Sequence, residues 1–161
     1  MKGKRTDMGD AQCGIARSLQ AVGDWWSLLI VREAFKGRRR FSEFQKSLGL
    51  AKNILSARLR KLVEEGIFTV EPDPDSALSH LYLLTPKGRQ LSVVLVALWQ
   101  WGEENCFAEG ELNYAVVDSL NRQPLPKLQL AARDGRILDP EEFRIEARGA
   151  LTPGIADPRD R

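Results

Sequence analysis

Residues 41–62, FSEFQKSLGLAKNILSARLRKL, restrict the possible folds more than any other stretch of the 161-residue chain. Ser42 is placed to cap a short helix, EFQKSL, with Phe41 and Phe44 reaching inward, and Gly49 ends that helix. A second helix begins near Ala51 or Lys52 and stops at Gly66. Leu55, Leu59 and Leu62 share one side of it; Asn53, Ala57, Arg60 and Glu64 lie opposite, with Ser56 at the flank. Two short helices around a glycine turn, the second strongly basic, form the pattern of a helix-turn-helix that sets one helix in the DNA major groove.

Charge supports that reading. Between Lys36 and Lys61 there are nine cations and one carboxylate, Glu43, a balance of +8, whereas the whole chain carries only +2. A groove-entering helix needs an apolar back that keeps it docked and a polar front that reaches base edges. Lys52, Asn53, Ser56 and Ala57 occupy the first turns, where base contact is expected. Asn53 suits adenine and Lys52 guanine; Ser56 suits a base or a phosphate, and Ala57 a thymine methyl. Arg58, Arg60 and Lys61 are assigned to phosphates, which position a protein without reading sequence. Arg38, Arg39 and Arg40 repel one another unless an anion is near, and phosphate is the obvious one. Taken alone, the same helix and arginine run also fit an ordinary solvated surface.

Bulk properties bound the rest. A chain of this length makes one domain, or one domain with an appendage, and its 43% hydrophobic content supports an ordinary core. The start, MKGKRTDMGDAQC, has no apolar leader segment, and the longest apolar run, Leu91 to Trp101, is too short to cross a bilayer. No membrane partner is expected. Cys13 and Cys106 lack metal-site spacing and suit a reducing cytoplasm. No metal and no cofactor are expected. One histidine, no glycine-rich phosphate loop and no nucleophile elbow leave no legible catalytic constellation, so no catalytic residue is assigned and an enzyme is not expected.

The pattern along the chain predicts a mainly α fold with a small β wing: a winged helix-turn-helix domain plus a small C-terminal β-containing appendage. Residues 1–12 read as a flexible basic arm, 13–109 as the DNA-binding and dimerisation domain, and 110–161 as a β-containing extension with a loose tail. A helix from about Cys13 to Val22 has Ile15, Leu19 and Val22 on one face. Asp24 caps the next helix, which carries Trp25, Leu28 and Leu29 into a core and ends at Gly37. IFTVEP and HLYLLT read as the two strands of a hairpin wing, joined by the loop DPDSALS. In that loop Asp73 and Asp75 would be repelled by phosphate, and His80 is the better contact. Thr85-Pro86 starts a long helix running to about Glu109. That helix is apolar all round from Leu91 to Trp101, and burying its far side calls for a partner subunit along Leu91, Leu95, Leu98 and Trp99.

Several motifs then stand in one order. They are Cys13 at a helix start, GDWW at 23–26 followed by LLIVRE at 28–33, Gly37, RFSEF at 40–44, LSARLRKL at 55–62, Gly66, YLLTPKG at 82–88 and Trp101-Gly102. This series, over roughly residues 13–108, resembles the HxlR-type winged-helix transcriptional regulators, relatives of the MarR regulators. The resemblance implies a homodimer on a pseudo-palindromic operator of double-stranded DNA, joined through its first and last long helices. The interface would thus add Ile15 and Leu19. It also implies, as in some relatives, a redox sensor at Cys13. A subset of the family extends into a cysteine-bearing turn; here LAARDGRIL keeps Gly135 but has Ala131 and Asp134 near the cysteine positions, so a metal-free appendage is expected. An unidentified small-molecule effector is the remaining expected partner, with Trp25, Trp26, Trp99 and Trp101 available to it, although tryptophans at such spacing equally fill cores. The rival function is a winged-helix protein-interaction module without specific DNA binding.

Overall fold

The computed structural model describes residues 7, 8 and 10–147. Most of the expected basic arm and the last part of the expected loose tail lie outside the described residues. The chain divides into two compact units, Met1–Val116 and Val117–Arg161.

The first unit contains α1 (Gly14–Val22), α2 (Trp25–Phe35), α3 (Phe41–Leu48), α4 (Lys52–Glu64), β1 (Phe68–Asp73), β2 (Ser76–Leu84), α5 (Pro86–Arg89) and α6 (Leu91–Asn105). It is a winged helix. Its core is Val22, Ile30, Val31, Phe44, Leu50, Leu55, Leu59, Leu62, Ile67 and Phe68. Asp24 starts α2 by accepting from the Ser27 amide at 3.0 Å and the Ser27 hydroxyl at 2.6 Å. Ser27, Ile30 and Val31 form the buried stripe of α2. Trp25, expected in the core, is instead 75% exposed, because it lies across the helix from that stripe. It meets Trp26 edge to face at 6.2 Å between ring centres.

Helix α3 begins one residue before the expected cap. Arg40 is the N-cap, and the Glu43 carboxylate accepts from the amides of Arg39 at 2.8 Å and Arg40 at 3.0 Å, so Ser42 sits inside the first turn. Gly49 closes α3 with a left-handed φ of 65°, which a side chain would strain. Leu50 then enters the core, and α4 follows with Leu55, Leu59 and Leu62 fully buried.

Strands β1 and β2 pair antiparallel from Phe68↔Leu84 to Pro72↔His80, after which the register shifts to Asp73↔Ser76. Most of the expected loop at 73–79 is therefore strand or bulge, and only Pro74 and Asp75 turn the hairpin. The arginine connector adds a third edge. Arg40 bridges Leu81, and the Tyr82 amide donates to the Arg39 carbonyl at 2.8 Å. Phe44 packs edge to face against Phe68 at 6.2 Å and Tyr82 at 6.5 Å, joining α3 to the wing.

The expected single C-terminal helix is two helices. Thr85 caps α5 by accepting from the Gly88 amide at 3.0 Å, and Gln90 separates α5 from α6. Gly88 lies so close to the first strand that a Cβ there would stand 2.3 Å from the Ile67 carbonyl oxygen. Helix α6 ends at Asn105, short of the expected Glu109. No helix among the described residues is long and apolar enough to cross a membrane.

Among the described residues of the second unit the β content is two isolated bridges, Val117↔Pro124 and Ala131↔Ile137, followed by a short 3-10 turn at Pro140–Glu142. No residue from 117 to 147 is buried, so these turns lack the apolar face that would extend them into strands. Gly135, with φ 87°, makes the second turn, where Asp134 accepts from the Arg136 amide at 3.1 Å.

Candidate nucleic-acid interface

The inward stripe of α4 decides what the helix can offer. With Leu55, Leu59 and Leu62 turned into the core, Lys52, Asn53, Ser56, Ala57 and Arg60 are all exposed on one continuous front. Four of these are the residues expected to touch bases. Among the described residues, the side chains of Lys52, Asn53 and Arg60 make no hydrogen bond or ion pair within the chain, so their polar ends are available.

The other cations divide into two groups. Arg38 and Arg39 are exposed on the connector, and His80 is exposed on β2. Three further cations expected at phosphates are engaged inside the fold. Arg58 Nε lies 3.2 Å from Asp24 Oδ1 and ties α4 to the start of α2. Lys61 Nζ donates to the Gln20 carbonyl at the end of α1. Arg40 turns toward the wing. Its Nε donates to Asp73 Oδ2 at 2.5 Å, and its Nη2 donates to Asp73 Oδ1 at 2.9 Å and to Asp75 Oδ2 at 2.8 Å.

That pairing changes the meaning of the wing carboxylates. Asp73, which as a free loop carboxylate would be repelled by phosphate, has its carboxylate fully buried against Arg40. It also accepts from the Ser79 hydroxyl at 2.6 Å and the Asp75 amide at 3.0 Å. The hydrogen bonds from Arg40 and then Ser79 hold the Asp73 carboxyl well below the usual carboxylate range, and the same pairing raises Arg40 above its ordinary value. Glu33 is a second internal anchor. Burial alone would raise its pKa, but the Ser47 hydroxyl, Lys36 and Arg32 outweigh burial and lower it. Arg32 Nη2 stands at 2.8 Å and Lys36 Nζ at 3.2 Å from Glu33, while Ser47 links it to α3. Glu33 and Asp73 were not singled out by sequence reasoning as structural anchors. An acid flanked by Arg32 and Lys36 was the one available signal for Glu33.

The residues expected to hold a second subunit also divide. Ile15 and Leu19 on α1 are 64% and 52% exposed, and Leu98 on α6 is 49% exposed. Leu91 and Leu95 instead pack against the core of their own chain. Trp99 is half-buried and its Nε1 is shielded without an acceptor. The outward side of α6 is completed by Trp101, which the sequence pattern allows beside Leu98 and Trp99, and by Val93 and Val94, which it does not mark for the interface. Cys13 is exposed at the N-cap of α1. Among the described residues, no cluster of His, Cys, Asp and Glu is arranged to hold a metal ion.

The HxlR-like helix-turn-helix family profile matches residues 21–109, more than half of the chain. The chain belongs to the HxlR family. Its relatives are named HTH-type transcriptional regulators. An uncharacterized HTH-type transcriptional regulator of Mycobacterium tuberculosis is 47% identical over 90 residues, which cover 56% of this chain and 57% of that one. This HxlR chain thus matches little more than half the length of that relative. The crystal structure of PA1607, a candidate transcription factor, superposes with a TM-score of 0.83 at 50% identity, covering 88% of this chain and 99% of that one. The redox regulator HypR in its oxidized form superposes with a TM-score of 0.54 at 27% identity, covering 60% of this chain and all of that one.

The Asp73 pairing predicts a pH-dependent stability. A carboxylate whose folded pKa is depressed stabilises the fold fully above its unfolded value of about 3.9, and that stability is lost as pH falls toward the folded value. Asp73→Asn should therefore melt below the parent at neutral pH. The difference should shrink as pH drops below about 4. A constant difference at every pH, measured by thermal denaturation followed by circular dichroism, would show that the charge of Asp73 is not what stabilises the wing.

Proposed function

We propose that this HxlR regulator binds double-stranded DNA sequence-specifically as a homodimer, with α4 in the major groove. The observation that carries the reading is the front of α4. Its polar residues are exposed and unpaired, while its flanking cations are tied down inside the fold. Lys52, Asn53, Ser56 and Ala57 are the base-reading set. Arg38, Arg39, Arg60 and His80 are the phosphate set. Arg58, Lys61 and Arg40 position α4 and the wing, and their charge acts on DNA only at longer range. The two-fold partner covers Ile15, Leu19, Leu98, Trp101 and the outward side of α6, a surface too apolar to be left in water on a stable monomer. Of the four tryptophans, Trp25 and Trp101 are exposed and open to a small-molecule effector.

The rival reading, a winged helix for protein contacts alone, is separated by salt. DNA binding weakens steeply as counterions are retaken at higher salt, whereas an interface of apolar burial does not. On DNA selected by the parent protein, Asn53→Ala should abolish the preference for that sequence over random DNA. Arg39→Ala should weaken both DNAs alike and lower the salt slope by about 1. Fluorescence anisotropy at graded salt reads both effects, and an equal loss on selected and random DNA for Asn53→Ala would remove Asn53 from the base-reading set.

The dimer reading predicts that light scattering of the parent gives twice the 18.1 kDa chain mass. Leu98→Glu should give the single-chain mass with its helix content retained. A Leu98→Glu protein that stays dimeric would place the interface elsewhere.

Exposure of Cys13 at a helix N-terminus, together with the likeness to a redox regulator, supports an oxidant- or electrophile-responsive thiol. Cys13→Ser should bind DNA like the parent and no longer lose binding on treatment with a quinone. Equal responses of the two proteins would exclude Cys13 as the sensor.

A further inference from the structure

A groove lies between α4 and the wing. Phe41, Val63, Val70 and Tyr82 are its apolar walls. Val70 and Tyr82 pair across β1 and β2, so their side chains share one face of the wing. Ser56, Arg60 and Glu64, all on α4, are its polar lining. The groove holds about 380 Å³. That volume suits a small molecule, for which about 300–1,000 Å³ is usual. None of the tryptophans lines it.

Its charges narrow the class of occupant. Arg60 and Glu64 are both exposed and stand four residues apart on one helix. That spacing sets their Cβ atoms about 5–6 Å apart. Among the described residues, neither side chain makes a hydrogen bond or an ion pair within the chain. The groove therefore offers one free cation and one free anion beside an apolar trough. A ligand with a carboxylate alone is repelled by Glu64, and a ligand with an amine alone is repelled by Arg60. A ligand that carries both groups is attracted by both. An exposed Arg–Glu contact at this spacing adds little to a helix, so engaging the two charges separately displaces little.

We infer that this groove binds a free α-amino acid with an apolar side chain. Its carboxylate meets Arg60, its ammonium meets Glu64, and its side chain lies among Phe41, Val63, Val70 and Tyr82. The consequence for DNA rests on the DNA-binding reading above. Ser56 and Arg60 belong to the surface assigned to the duplex, so a filled groove withdraws both from it. Amino acid and DNA then compete for one face of α4, and each weakens the other by the same factor.

Isothermal titration calorimetry on the full-length protein, with L-leucine, L-methionine and L-phenylalanine as probes, tests the site. At least one should bind with a Kd of about 1 mM or tighter. Its N-acetyl derivative lacks the positive charge and its amide lacks the negative one, so each should bind about tenfold less tightly. Glu64→Gln should weaken the amino acid by about the same tenfold. In fluorescence anisotropy the amino acid at saturation should weaken selected DNA by about tenfold for the parent and leave Glu64→Gln unmoved. Three results overturn the inference: none of the probes binds, the derivatives bind as well as the amino acid, or Glu64→Gln binds it like the parent. The DNA-binding reading survives all three. Amino-acid binding that leaves the affinity for DNA unchanged overturns the competition. A parent that binds the amino acid but no DNA keeps the site and overturns the DNA-binding reading.

Discussion

Docking of α4 through Leu55, Leu59 and Leu62 is the constraint on which the rest of the structure depends. Each of these side chains is completely or almost completely removed from water. Burial of a leucine is worth about 1.5–3 kcal/mol, so the rotation of α4 about its own axis is strongly set. Once that rotation is fixed, Lys52, Asn53, Ser56, Ala57 and Arg60 have nowhere to point but outward. The flanks then add direction. Arg58 reaches the cap of α2 and Lys61 the end of α1, so two cations that look like surface charge instead hold the helix against its neighbours.

The wing is tied to this frame by two different kinds of contact. Phe44 meets Phe68 and Tyr82 through ring edges, and Arg40 meets Asp73 and Asp75 through charge-assisted hydrogen bonds. Arg40 is also the N-cap of α3 and part of the strand edge beside β2. One residue thereby couples α3 to the hairpin beside it. On the proposed DNA-binding reading, α4 and the connector carry the polar and positive groups that would meet the duplex.

Much of this was legible in the sequence where the cause is local. The inward leucines of α4, the Asp24 cap, the turn at Gly49 and the Thr85-Pro86 helix start are set by spacing and by neighbours a few residues away. The front of α4 followed from the same periodicity; the apolar face of α1 did too, but the structure splits it, burying Val22 and exposing Ile15 and Leu19. What the sequence did not disclose depends on pairs brought together by the fold. Arg40 and Asp73 are far apart in the chain, as are Lys61 and Gln20, and nothing local marks them as partners. The expected phosphate roles of Arg40, Arg58 and Lys61 rest on local charge density, which does not show that the fold sets Asp73, Asp24 and the Gln20 carbonyl beside them. Trp25 differs from expectation for a related reason: spacing alone does not tell which stripe of α2 is buried, and the stripe through Ser27, Ile30 and Val31 leaves Trp25 outside it.

The central claim is that two copies of α4 read two half-sites on one face of the DNA. Hydroxyl-radical footprinting of the full-length protein on its selected DNA, at near-physiological salt, tests this most directly. The account predicts two protected patches related by a two-fold axis and separated by about 10 base pairs, one turn of the duplex. A single patch, or even protection without a fixed spacing, would contradict it.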